Sequence, residues 1–191
     1  MFKYFKISEY CLLAMIASMG VGIKIIVVPL AQIITGPLFI PGGVVAGGIY
    51  MAFIVLGASL TKKRGACTLV ALIQAVMVTI TGTIGTHGAI SLLTYTLPGI
   101  GCDLLFLVFG KKFISLSSCF LAGIVANMIG SFSVNLAIFN LSFIPLMLSL
   151  TAASFSGGIG GIVAYHLGNS VNNILYNRDN KSTYIPLPDR E

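Results

Sequence analysis

The sequence predicts an all-α membrane protein: a six-transmembrane-helix bundle with both termini cytoplasmic. Three observations carry that prediction. First, the 191 residues are 57% hydrophobic and only 8% charged, with a mean hydropathy of +1.00. A soluble domain carries about 25% charged residues. Second, the apolar residues gather into six long runs, and a helix needs about 20 of them to cross a bilayer. Third, every basic residue except Lys24 falls in one of four groups: Lys3 and Lys6; Lys62, Lys63 and Arg64; Lys111 and Lys112; and Arg178, Lys181 and Arg190. Two apolar runs separate each group from the next. Lys/Arg-rich connections stay on the cytoplasmic side, so the bare ones face outward.

The first span is expected over 7–28. Its basic start resembles a signal peptide, but the apolar run continues to Val28 without an A-x-A site, so it reads as a retained helix. Residues 29–41 (PLAQIITGPLFIP) follow. Pro29, Gly36-Pro37 and Pro41 predict an irregular outer loop, folded against the mouth of the bundle because it is apolar. Spans 42–60 and 66–84 flank the basic inner turn. A short outer loop carrying His87 leads to span 90–110. Spans 115–139 and 146–171 enclose the last outer loop, 140–145, and the three outer loops together suit a lid. Lipid leaves no water for backbone groups, so each span is helical. The transmembrane domain is thus 1–172. The polar remainder, 173–191, contains Pro186 and Pro188 and reads as a disordered cytoplasmic tail.

Several function classes drop out. The net charge of +6 is accounted for by topology and by attraction to anionic lipids of the bilayer, and no aromatic–basic interleaving points to nucleic acid. The four cysteines stand singly and read as packing residues. His87 and His166 are isolated, so neither a metal nor a cofactor is expected. There is no G-x-x-x-x-G-K-[ST] loop and no H-E-x-x-H. Ser156 and His166 lie about 15 Å apart along one helix, too far for a nucleophile and its base. The chain reads as a non-enzyme.

Polar residues inside spans need a partner or a cavity. Gly123, Asn127, Ser131 and Asn135 recur every fourth residue and share one face of the fifth span. They either bind a polar ligand or hold helices together. Tyr95, Gly99 and Asp103 form the same pattern on the fourth span, interrupted by Pro98. Asp103 is the one acid placed deep in the membrane, either as a structural partner or as a ligand contact. Lys24, near the outer end of the first span, either snorkels to the headgroups or meets an anionic ligand group. Gln74 and Thr81 share a face of the third span, and Phe39 and Tyr50 are candidates to stack on a ring. His87 is a candidate lid contact. Small residues also recur at four-residue spacing: Ala14, Ser18 and Gly22; Gly43 and Gly47; Gly157 and Gly161. Each stripe lets a neighbouring helix approach closely, within the bundle or on another subunit.

Four stretches then carry a family resemblance: GPLFIPGGVVAGGIY, TKKRGA, LPGIGCDLLF and LAGIVANMIGSF. With the size, span number and charge layout, they resemble the substrate-binding S components of energy-coupling factor (ECF) transporters, in particular the YkoE-like group. The resemblance covers most of residues 7–172. It implies capture of a vitamin or vitamin precursor on the outer face. It also implies docking to a transmembrane coupling subunit that carries two ATPases, in keeping with the missing phosphate loop. Docking in that family uses a small-residue motif on the first helix, matched here by Ala14 and Ser18. The YkoE-like group binds thiamine or its hydroxymethylpyrimidine precursor through acids near the start of the second span and in the third. The corresponding stretches here contain none, and Asp103 stands where that group has a Glu. A neutral or weakly basic heterocycle is the expectation, held by Tyr95, Asp103, Asn127, Asn135 and Gln74, with His87 and Phe39 from the lid. The alternative is a small permease working without ATPase partners.

Overall fold

The computed structural model describes residues 4–38, 40–82, 88–110 and 113–183. Six helices follow one another: α1 (Ile7–Thr35), α2 (Gly42–Thr61), α3 (Ala66–Thr81), α4 (Ile90–Val108), α5 (Leu116–Val134) and α6 (Phe143–Thr183). A 3-10 turn, Gly36–Leu38, follows α1, and a π-helical turn, Asn135–Phe139, continues α5. Among the described residues, five helices are long and apolar enough to cross a membrane, and α3 is a shorter apolar helix.

Three boundaries depart from expectation. α1 runs through Pro29 to Thr35, where an irregular loop was expected from residue 29. Proline removes one backbone hydrogen bond, but unwinding the apolar residues after it would leave several groups unpaired in lipid. Leu30, Ile33 and Ile34 are accordingly exposed on the outside of the helix. α3 ends at Thr81, where Gly82 takes a left-handed conformation. Its 16 residues span about 24 Å, short of the roughly 30 Å hydrocarbon layer. α6 continues past 172 to Thr183, because its first proline after Pro145 is Pro186. The rest of the expected tail lies outside the described residues.

The helices contact one another in a ring, α1–α2–α6–α5–α4–α3 and back to α1. α2 also touches α3 and α5, so it occupies the middle. Consistently, most of its apolar stretch is buried, against about a third for α1, α5 and α6. Composition makes this possible. Gly48 of α2 packs on Gly160 of α6, and Gly123 of α5 on Gly157, so closely that a Cβ on any of them would overlap the opposing backbone. The Gly157 and Gly161 stripe is therefore an internal contact, as is Gly47, which faces Asn127. By contrast, Ala14 is half-buried and Ser18 and Gly22 are exposed on α1, and nothing lies near the position a Gly22 Cβ would take.

Below the middle of the bundle the core is filled. Leu13, Ile54, Val55, Val70 and Phe106 are fully buried and belong to one apolar cluster. The basic turn between α2 and α3 closes this end. Lys63 pairs with Glu9 at 2.6 Å, and Arg64 donates to the Gly110 carbonyl at 2.8 Å.

Candidate substrate pocket

A cavity of about 160 Å³ lies at the opposite end, between α1, α2, α4, α5 and α6. Each helix supplies a polar group to its wall. Lys24, four residues before Val28 on α1, is only 7% exposed. It does not snorkel. Its Nζ sits 4.2 Å from the centre of the Tyr95 ring and 5.8 Å from that of Tyr50, a cation–π arrangement. The Tyr50 hydroxyl is occupied, donating to the Gly43 carbonyl at 2.9 Å.

Two carboxamides on the wall double as helix caps. Gln32 of α1 accepts the N–H of Gly42 through Oε1. Gly42 begins α2, whose first N–H groups have no partner within the helix. Asn135 accepts the Leu141 N–H through Oδ1 at 2.9 Å, and its carbonyl accepts the Asn140 N–H at 2.9 Å. Asn140 has a φ of 46°, so the chain leaves α5 in a left-handed turn that asparagine tolerates. The π-helical turn between them widens the helix at the pocket wall, as such turns do at functional sites. Tyr95 and Ser149 complete the set. Both are buried, and neither hydroxyl has a hydrogen-bond partner.

Of the residues expected at the site, Tyr95 and Asn135 line the cavity. Phe39 and His87 lie outside the described residues. Asn127 sits below the cavity, buried, and its Nδ2 donates to the Val44 and Ala153 carbonyls at 2.9 Å each. It ties α5 to α2 and α6. Gln74 is buried against Gly20 of α1, away from the cavity. Asp103 is at the basic end. It accepts from Gly65 N at 3.0 Å, Thr68 N at 2.7 Å and Thr68 Oγ1 at 2.6 Å. It thereby caps the start of α3 from the neighbouring helix, where a carboxylate also suits the helix dipole. Gln32 and Ser149 were not singled out from sequence. Their signal is faint: one amide and one hydroxyl in otherwise apolar stretches.

Residues 8–129 match the family described as "ABC-type cobalt transport system, permease component". The chain belongs to this family. It also shares its fold with the crystal structure of an S-component of an ECF transporter, at a TM-score of 0.75 and 18% identity, covering 96% of this chain and 100% of the other. No curated protein sequence matches it. The family and the structural neighbour are transporter components rather than enzymes. The chain is a multi-pass membrane protein of an ABC-type transport system.

Proposed function

We propose that this chain is the substrate-capturing subunit of such a transporter. It holds a small organic, vitamin-like molecule in the Lys24–Tyr95 cavity and hands it to a membrane coupling subunit with two ATPases. One observation carries the reading: the cavity is a dead end. Met51 and Gly130 line it, and the fully buried cluster around Ile54, Val55 and Phe106 fills the bundle beyond. A blind pocket suits capture and later release on a partner, not passage through the chain itself. The positive-inside rule puts the Lys62–Arg64 turn in the cytoplasm and the pocket outside.

The family's description names cobalt. The described wall of the cavity offers an ammonium, hydroxyls, amides and two tyrosine rings, and no Asp, Glu, His or Cys. That donor set suits an organic molecule rather than a bare divalent ion. Asp103, the acid expected to hold a basic ring, is engaged at the other end, so the expectation of a weakly basic ligand loses its partner.

Docking uses the Ala14–Ser18–Gly22 stripe, which leaves α1 flat towards the membrane. The test is reconstitution. Native mass spectrometry of the gently solubilised chain identifies the bound molecule, and uptake of that molecule is measured in proteoliposomes with and without the ATPase-bearing partners. Uptake by the chain alone would refute the proposal. Replacing Ala14 and Ser18 together by Trp is expected to abolish uptake while binding stays within about twofold, because only surface contact is altered.

A further inference from the structure

We propose that the captured molecule carries a single carboxylate, and that Lys24 is the residue that selects it. This inference rests on the capture function above and narrows it to a ligand class. A buried ammonium in a membrane protein is costly unless something balances it. The ring faces of Tyr95 and Tyr50 balance it only in part, since a cation–π contact contributes about 0.5–2 kcal/mol. Among the described residues no carboxylate pairs with it: Glu9 is held by Lys63 and Asp103 by the start of α3.

The neutral groups around Lys24 point the same way. Oε1 of Gln32 and Oδ1 of Asn135 are both occupied by backbone N–H groups. Each carboxamide keeps both N–H donors of its NH2 free and only one lone pair on its oxygen. The hydroxyls of Tyr95 and Ser149 are buried and unpartnered, and each has a proton to give. Lys24 is donor-only. The hydroxyls of the wall can also accept, but around Lys24, which only donates, they and the two NH2 groups can all turn a donor inward, and an acceptor-rich anion uses that set fully. One ammonium balances one negative charge. A phosphate monoester, carrying nearly two, would leave an excess charge buried, and the wall has no Arg fork for its oxygens.

The experiment measures binding of matched acid and amide probes to the full chain in nanodiscs: benzoate and benzamide, 4-aminobenzoate and 4-aminobenzamide, nicotinate and nicotinamide. Each is read by calorimetry and by shift in melting temperature. At least one acid is expected to bind roughly 10- to 100-fold more tightly than its amide, the range for a charge-assisted hydrogen bond. In Lys24→Met that ratio should collapse towards one, while Lys24→Arg should keep most of it. If Lys24→Met does not fold, Tyr95→Phe serves instead. It removes one hydroxyl and keeps the ring against Lys24, and should weaken the acid several-fold and the amide less. Amides binding as well as acids would overturn the inference and leave the capture function standing. A co-purifying molecule that lacks an acid group would do the same. Failure of every probe, with nothing co-purifying, would overturn both.

Discussion

The two ends of the bundle treat their charged groups in opposite ways. At the basic end three charges are matched within the protein: Asp103 by Gly65 N and the two donors of Thr68, Lys63 by Glu9, and Arg64 by the Gly110 carbonyl. At the pocket end Lys24 lacks an acid, and the hydroxyls of Tyr95 and Ser149 lack any partner. Burying unpaired polar groups costs stability. Ser59 Oγ, near the basic end of α2, and Gln74 Nε2 on α3 are likewise buried without a partner, so what sets Tyr95 and Ser149 apart is that they line one cavity together with an ammonium that no acid among the described residues pairs. The comparison teaches that polarity inside the membrane does not by itself locate a site. Unsatisfied groups that share a cavity with an unpaired charge do.

The sharpest way to break the contrast is Asp103→Ala. It leaves the first N–H groups of α3 and the Thr68 hydroxyl without their acceptor. Hydrogen bonds to a charged group and the loss of a cap together suggest a cost of about 3 kcal/mol. A markedly lower midpoint of thermal unfolding in detergent is expected, with ligand affinity changed less than about twofold in the protein that remains folded. Asp103→Asn, which keeps an acceptor, should recover part of the loss. A variant with normal stability and no binding would place Asp103 in the site after all.

Asn127→Leu comes next and lies between the two regions. The amide gives up two bonds, leaving the Val44 and Ala153 carbonyls buried without that donor, at about 2 kcal/mol. Val44 also lines the cavity, so affinity should fall several-fold as α2 relaxes. Asn127 then acts through position rather than contact. Asn127→Ser, which retains a donor, should separate the two effects: if binding is abolished while unfolding is unchanged, the amide touches ligand.

Sequence carried the helical membrane architecture because apolar length reports directly on crossings. It was weaker on ends. Proline and glycine mark where a helix tends to stop, yet α1 passes Pro29 because lipid penalises the alternative. The site was half legible. Tyr95 and Asp103 share a stripe on α4, as Asn127 and Asn135 do on α5, but eight residues of helix cover about 12 Å of depth. Periodicity gives the face and not the depth. The upper member of each pair reaches the cavity and the lower one finds a backbone partner. Lys24 stood out as the lone base away from the four basic groups, yet its turn inward depends on Tyr95 and Tyr50 arriving from two other helices.

The smallest expected effect belongs to the pair that most resembles an ordinary surface contact. Lys63 and Glu9 meet at 2.6 Å, and Lys63 also donates to the Tyr4 carbonyl at 2.8 Å. Both groups lie at the rim of the basic end, with side chains 12% and 22% exposed. Water and salt screen such a pair, so its net contribution is below about 1 kcal/mol. Glu9→Gln and Lys63→Met should each lower the unfolding midpoint slightly, and the double variant should cost less than the sum of the two. Raising salt should erase the difference from wild type. Ligand affinity should not move, because the rim and the pocket share no residue. A large loss of stability that persists at high salt would show that this end is held by the pair itself, and the matched charges would then be a structural clamp rather than a record of topology.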